Sequence, residues 1–183
     1  MEGNYKAYAK YINEDVYSTS FNRDKLLKPP HSVTSAIWFS KIHTKTAFFS
    51  AIDDFNKVTL TVNGGLNGYN DRLDFLRRGI ESLKASHLIQ LYHNKCYVFE
   101  QSDIYNSKLG ALAWGIWHDP HSKRTGVQKS KNEAFKGYLR TKCLIEANPL
   151  TDKEKAKRWY GVLGNDLLIY INDRISTLNG VKR

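Results

Sequence analysis

Within Leu88 to Gly115, LIQLYHNKCYVFEQSDIYNSKLGALAWG, His93 and Lys95 stand two residues apart in what reads as a β-strand. Side chains alternate faces along a strand, so an imidazole and an ammonium at this spacing project together. Such a pair suits phosphate chemistry: the imidazole can attack phosphorus or carry a proton, and the ammonium can clamp the oxygens. Glu100 follows as the carboxylate at short range.

The same His-x-Lys spacing recurs at His43/Lys45 and His121/Lys123, so context has to choose. Around His43 the apolar pattern AIWFSKIHTKTAFFSAIDDF is closer to helical than alternating, and no carboxylate follows nearby. Around His121 the run HDPHSKRTG has the Pro, Gly and charges of a loop. Only His93 sits among β-formers, with Tyr92, Tyr97, Val98 and Phe99 around it.

The elements that must position His93 come just before it. Lys57 to Asn63, KVTLTVN, reads as a buried strand, and GGLNGYN as a Gly/Asn loop. Asp71 to Ala85 has Leu73, Leu76, Ile80 and Leu83 at helical steps. Strand, loop, amphipathic helix and strand predict a right-handed βαβ unit.

On these residues the chain resembles the phospholipase D superfamily, in its small nuclease and restriction-endonuclease branch. His93-Asn94-Lys95 matches the family's His-x-Lys, and Glu100 stands where its Asp would be. Gly110-Ala111-Leu112-Ala113 stands in place of a Gly-Ser-x-Asn type of strand, without the hydroxyl and amide. The resemblance covers roughly residues 36 to 117. It implies metal-free phosphodiester cleavage: His93 forms a phosphohistidine, Lys95 neutralises the equatorial oxygens, and Glu100 orients an imidazole. The family uses two such motifs, so a chain with one implies a homodimer whose second His93 protonates the leaving oxygen.

Composition bounds these readings. The 183 residues, 41% hydrophobic and 25% charged, suffice for a folded core and exclude wholesale disorder. Cys96 and Cys143 are too few for a disulfide framework, which favours a reducing, cytoplasmic setting. No apolar run approaches a membrane span, and MEGNYKAYAK lacks a signal-peptide core. A net charge of +10 calls for a polyanionic partner, nucleic acid first and DNA over RNA, rather than a membrane.

The charge concentrates between Lys123 and Lys142. There Lys123, Arg124, Lys129, Lys131, Lys136, Arg140 and Lys142 face a single Glu133, with Phe135 and Tyr138 to meet bases or sugars. Lys123, Arg124, Lys129, Lys131, Lys136 and Arg140 are therefore the candidate phosphate contacts. His118 and His121, with Asp119 between and His93 as a third ligand, have a spacing usable for zinc, though no full ligand pattern accompanies them. A metal nuclease needs paired carboxylates, and Asp53, Asp54, Glu100, Asp103, Glu133 and Glu146 show no specific version of that pattern. Gly64-Gly65 lacks the Gly-Lys-Ser/Thr ending of a phosphate-binding loop. No cofactor or metal is expected.

The remainder reads as framework. Residues 1–30, rich in Tyr and ending at Pro29-Pro30, form an arm, with the tyrosines packing on the core. Residues 36–55 read as a helix capped near Ser32 or Ser35, and Thr141 to Ala147 as a strand. TDKE at Thr151 to Glu154 is a capping-box pattern opening a helix to roughly Leu163; Gly164-Asn165 breaks it before a helix over Asp166 to Leu178. The expected fold is a single α/β domain over 1–183: an arm (1–30), a core (31–147) with a mixed sheet containing the βαβ unit flanked by helices, and C-terminal helices (148–183).

Overall fold

The structure, a computed structural model, describes residues 2–85, 88 and 97–180. These are helical almost throughout, and the only strands among them form one two-stranded hairpin. The expected α/β fold with its mixed sheet and βαβ unit is thus corrected to a helical one. The chain divides into two units, Met1–Ile52 and Asp53–Arg183. Among the described residues, no helix is long and apolar enough to cross a membrane.

The first unit holds α1 (Glu2–Ile12), α2 (Ser20–Asp24), α3 (His31–Trp38) and α4 (Thr46–Ala51), and a small core of Tyr8, Ala9, Val16 and Trp38. The Tyr8 ring lies 5.4 Å from that of Trp38, and its hydroxyl meets Thr34 Oγ1 at 2.6 Å. Of the N-terminal tyrosines, then, Tyr8 packs inward while Tyr11 is exposed. The helix expected over 36–55 is interrupted: Phe39–His43 widens into a π turn, and Lys45 takes a left-handed φ of 56° before α4 starts.

The second unit holds α5 (Phe55–Asn63), α6 (Tyr69–Ser82), α7 (Lys108–His118), α8 (Lys131–Ala147), the single turn α9 (Asp152–Lys155) and α10 (Leu167–Asn179). KVTLTVN, expected as a strand, is the body of α5. Asp54 starts the helix by accepting from the Lys57 amide at 3.0 Å, and the buried positions Asn56, Thr59 and Leu60 follow helical spacing. The β-branched residues suggested a strand, but burial on one helical face outweighs that modest preference. TKCLIEA is likewise the last part of α8, whose buried face runs Ala134, Gly137, Tyr138, Thr141 and Ile145.

Gly110-Ala111-Leu112-Ala113, expected as a small-residue strand, lies in α7. Ser107 caps this helix by accepting from the Gly110 amide, and every residue from Gly110 to His118 is buried. A helix surrounded by protein shows no polar stripe, so its sequence reads as a continuous apolar run. Small residues let α8 approach closely: a Cβ on Gly137 would stand 2.3 Å from the Gly115 backbone nitrogen. α7 becomes the central rod of the unit, with Leu112 and Trp117 fully enclosed.

Toward the C-terminus the capping box forms as expected, Thr151 and Glu154 bonding reciprocally. The helix it opens lasts one turn and gives way to the hairpin β1 (Arg158–Trp159) and β2 (Val162–Leu163). Tyr160 and Gly161 turn the chain with φ of 53° and 104°, the paired positive values of a tight hairpin turn. α10 then runs within one residue of the expected helix and ends at Gly180, φ 76°.

Candidate functional site

The His93/Lys95 pair lies outside the described residues. Glu100 lies in the short 3-10 turn Phe99–Gln101, where the Lys136 ammonium of α8 binds its carboxylate at 2.9 Å. Burial acts to raise the Glu100 pKa, but Lys136 and a backbone amide together outweigh it, leaving the carboxyl below its usual range. Among the described residues its charge partner is that ammonium; the imidazole it was expected to orient, His93, lies outside them.

The basic segment separates into anchored and free side chains. Lys129 Nζ donates to the carbonyls of Trp117, Ser122 and Arg124 at 3.0, 3.2 and 2.5 Å, tying the loop after α7 to the helix end. Lys136 bridges Glu100 and Glu133, which together hold its pKa above the ordinary lysine value. Arg140 donates to Tyr105 O and Asn106 Oδ1, both at 2.9 Å, and lies over the Tyr105 ring. These three, expected to meet phosphate, each make two or more contacts within the fold. Arg124 is exposed while reaching Tyr160 O at 3.1 Å and covering Trp117. Lys123 and Lys131 are exposed and have no partner among the described residues.

Of the zinc alternative's ligands His93 lies outside the described residues, while Asp119, between His118 and His121, has a partner of its own. Asp119 is fully buried, and Arg174 of α10 grips it with Nε at 2.8 Å and Nη2 at 2.9 Å while the Tyr138 hydroxyl donates at 2.9 Å. Burial pushes toward a higher pKa, and these donors outweigh it, keeping the carboxyl below its ordinary value. The pair joins the end of α7 to α10 as a structural clamp. Among the described residues no three His, Cys, Asp or Glu side chains gather as metal ligands.

Beside this clamp opens a cavity of about 550 Å³ that the sequence did not announce. α6 supplies Tyr69 and Leu73, α7 supplies Trp114 and His118, and the loop before α8 supplies Val127 to Ser130. Phe99 stacks on Trp114 with centroids 5.0 Å apart and planes within 5°, and Tyr69 meets Trp114 edge-on at 5.9 Å. The Trp114 indole N–H donates to Glu133 Oε2 at 3.0 Å, so the ring position is fixed from both sides.

His118 is the buried polar group of this cavity, 6% exposed. Its Nδ1 lies 2.9 Å from the Trp114 carbonyl, one helical turn back. A carbonyl only accepts, so Nδ1 carries the hydrogen and the lone pair sits on Nε2. Burial pushes the imidazole pKa down to about 4, so the ring is neutral at pH 7. Nε2 has no hydrogen-bond partner among the described residues, and His118 lines the cavity. The one legible trace was Trp114 and His118 four apart, hence on one helical face.

No protein-family model, curated protein or solved structure matches this chain. Its function is therefore argued from charge and geometry.

Proposed function

We propose that the chain is a nucleic-acid-binding protein that holds phosphates on the loop after α7 and the start of α8, in an intracellular setting consistent with its sparse cysteines. The observation that carries this is a basic loop with a rigid base. Its ends are joined by the Ser130 amide donating to His118 O at 2.9 Å, and Lys129 pins its interior from below. Lys123, Arg124 and Lys131 are thereby presented outward in a chain with net charge +10. Cations held on a fixed loop lose little conformational freedom on meeting a phosphate backbone, and the counterions they release drive association.

Binding is favoured over phosphodiester cleavage because residues 57–63, expected as the first strand of the scaffold behind the His93 mechanism, lie in the helix α5. Both are tested with the purified chain. Labelled single-stranded and duplex DNA should bind by fluorescence anisotropy in excess chelator. Absence of binding at low salt to DNA and RNA alike would remove the proposal. If His93 also acts as nucleophile in a dimer, nicking occurs in the same chelator and His93→Ala abolishes it with binding retained. Intact substrate with wild-type protein leaves a binding module without chemistry.

A further inference from the structure

We infer that the cavity between α6, α7 and α8 receives one unstacked nucleobase, with a base N–H donating to His118 Nε2. The inference deepens the nucleic-acid reading and rests on it for the source of the base. The geometry itself argues against a phosphate in the cavity. Lys136 is shared between Glu100 at 2.9 Å and Glu133 at 3.0 Å, and Lys129 is spent on backbone carbonyls. With its cations neutralised, the cavity offers an anion little.

What the cavity offers instead is a narrow, mixed apolar and polar lining with acceptors on one side. Tyr69, Phe99 and Trp114 are a buried cluster at its base, with the His118 ring packed 4.2 Å from that of Trp114, and Leu73 and Val127 extend the apolar lining. His118, a residue only 6% exposed, presents the Nε2 lone pair there. The Glu133 carboxylate, which also lines the cavity, has acceptor capacity beyond Trp114 and Lys136. A neutral planar heterocycle carrying N–H donors is the complement of such a site. Nucleobases have that chemistry, and a cavity of about 550 Å³ lies within the usual range for small-ligand pockets. Gln128 to Ser130 line the cavity while Lys123, Arg124 and Lys131 lie on the same loop or just after it, so one segment can hold both a base and its flanking phosphates.

The source of the base, a free nucleoside or a residue of a strand, is separated by the experiment. In ¹⁵N-histidine-labelled full-length protein, the unprotonated Nε2 resonance of His118 should shift on saturation with cytidine, adenosine or guanosine. It should not move with ribose 5-phosphate, nor with 3-methyluridine, which has no base N–H. His118→Phe, which keeps a ring but removes the acceptor, should weaken nucleoside binding about tenfold. If the base belongs to a strand, an oligonucleotide binds more tightly than its nucleoside and loses that advantage in Lys123→Ala/Arg124→Ala/Lys131→Ala; equal affinities assign the site to a free nucleoside. An unmoved His118 resonance in the presence of salt-sensitive strand binding overturns the base site and leaves the nucleic-acid reading intact. Nucleoside binding without any strand binding does the reverse. Equal affinity for 3-methyluridine and cytidine would overturn the role given to Nε2.

Discussion

On acidification His118 separates the folded from the unfolded chain. An unfolded imidazole protonates near about 6.5, while burial holds the folded one down to about 4. Between these values the unfolded state binds the extra proton. The stability is therefore fully present above the unfolded pKa and is lost as pH falls toward the folded one, by up to about 3 kcal/mol from this residue. Denaturant unfolding at pH 7 and pH 4.5 should show wild type losing about 2 kcal/mol more than His118→Phe over that interval. Equal losses would mean that His118 is hydrated in the folded chain. From sequence His118 could be seen only beside His121 as a zinc candidate. Its actual partners are a carbonyl of its own helix and a cavity assembled from several elements. Lys129 and Lys136 show the same limit: a charge run shows cations, and only the fold shows the carbonyls and carboxylates beside them.

Two helical glycines of similar appearance in sequence have opposite consequences at the scale of the element. A Cβ on Gly137 would stand 2.3 Å from Gly115 N and 2.6 Å from its Cα, both backbone atoms that cannot swing aside. Forcing α7 and α8 apart should make Gly137→Ala destabilising by about 1–3 kcal/mol, despite alanine's better helix propensity. Gly79 in α6 has nothing within 4 Å of an added Cβ, so Gly79→Ala should stabilise by about 0.5–1 kcal/mol. Thermal unfolding of both variants measures the contrast, and the same sign in both would remove the close α7–α8 approach. This approach also explains which elements were legible. α6 and α10 are amphipathic and declare their period, and the Thr151 capping box states its own start. α5 and the end of α8 read as strands because their buried faces include Thr, Asn and Gly, which an apolar period does not register, and Gly110 to Ala113 of α7 because a helix buried all round shows no polar stripe.

Across the whole molecule the excess positive charge is a property of the sequence alone, and so was the expectation of a polyanionic partner. Lys123, Arg124 and Lys131 are exposed, while Lys129, also exposed, and the half-buried Lys136 and Arg140 hold the loop and helices in place. The central claim is tested most directly by the salt dependence of affinity for single-stranded DNA, in wild type and in Lys123→Ala/Arg124→Ala/Lys131→Ala. Each phosphate contact on a single strand contributes about 0.7 to the log–log slope, so the triple variant should lower its magnitude by about two units while remaining folded. An unchanged slope in a folded triple variant would contradict the account, because the phosphates would then lie against another face of the molecule.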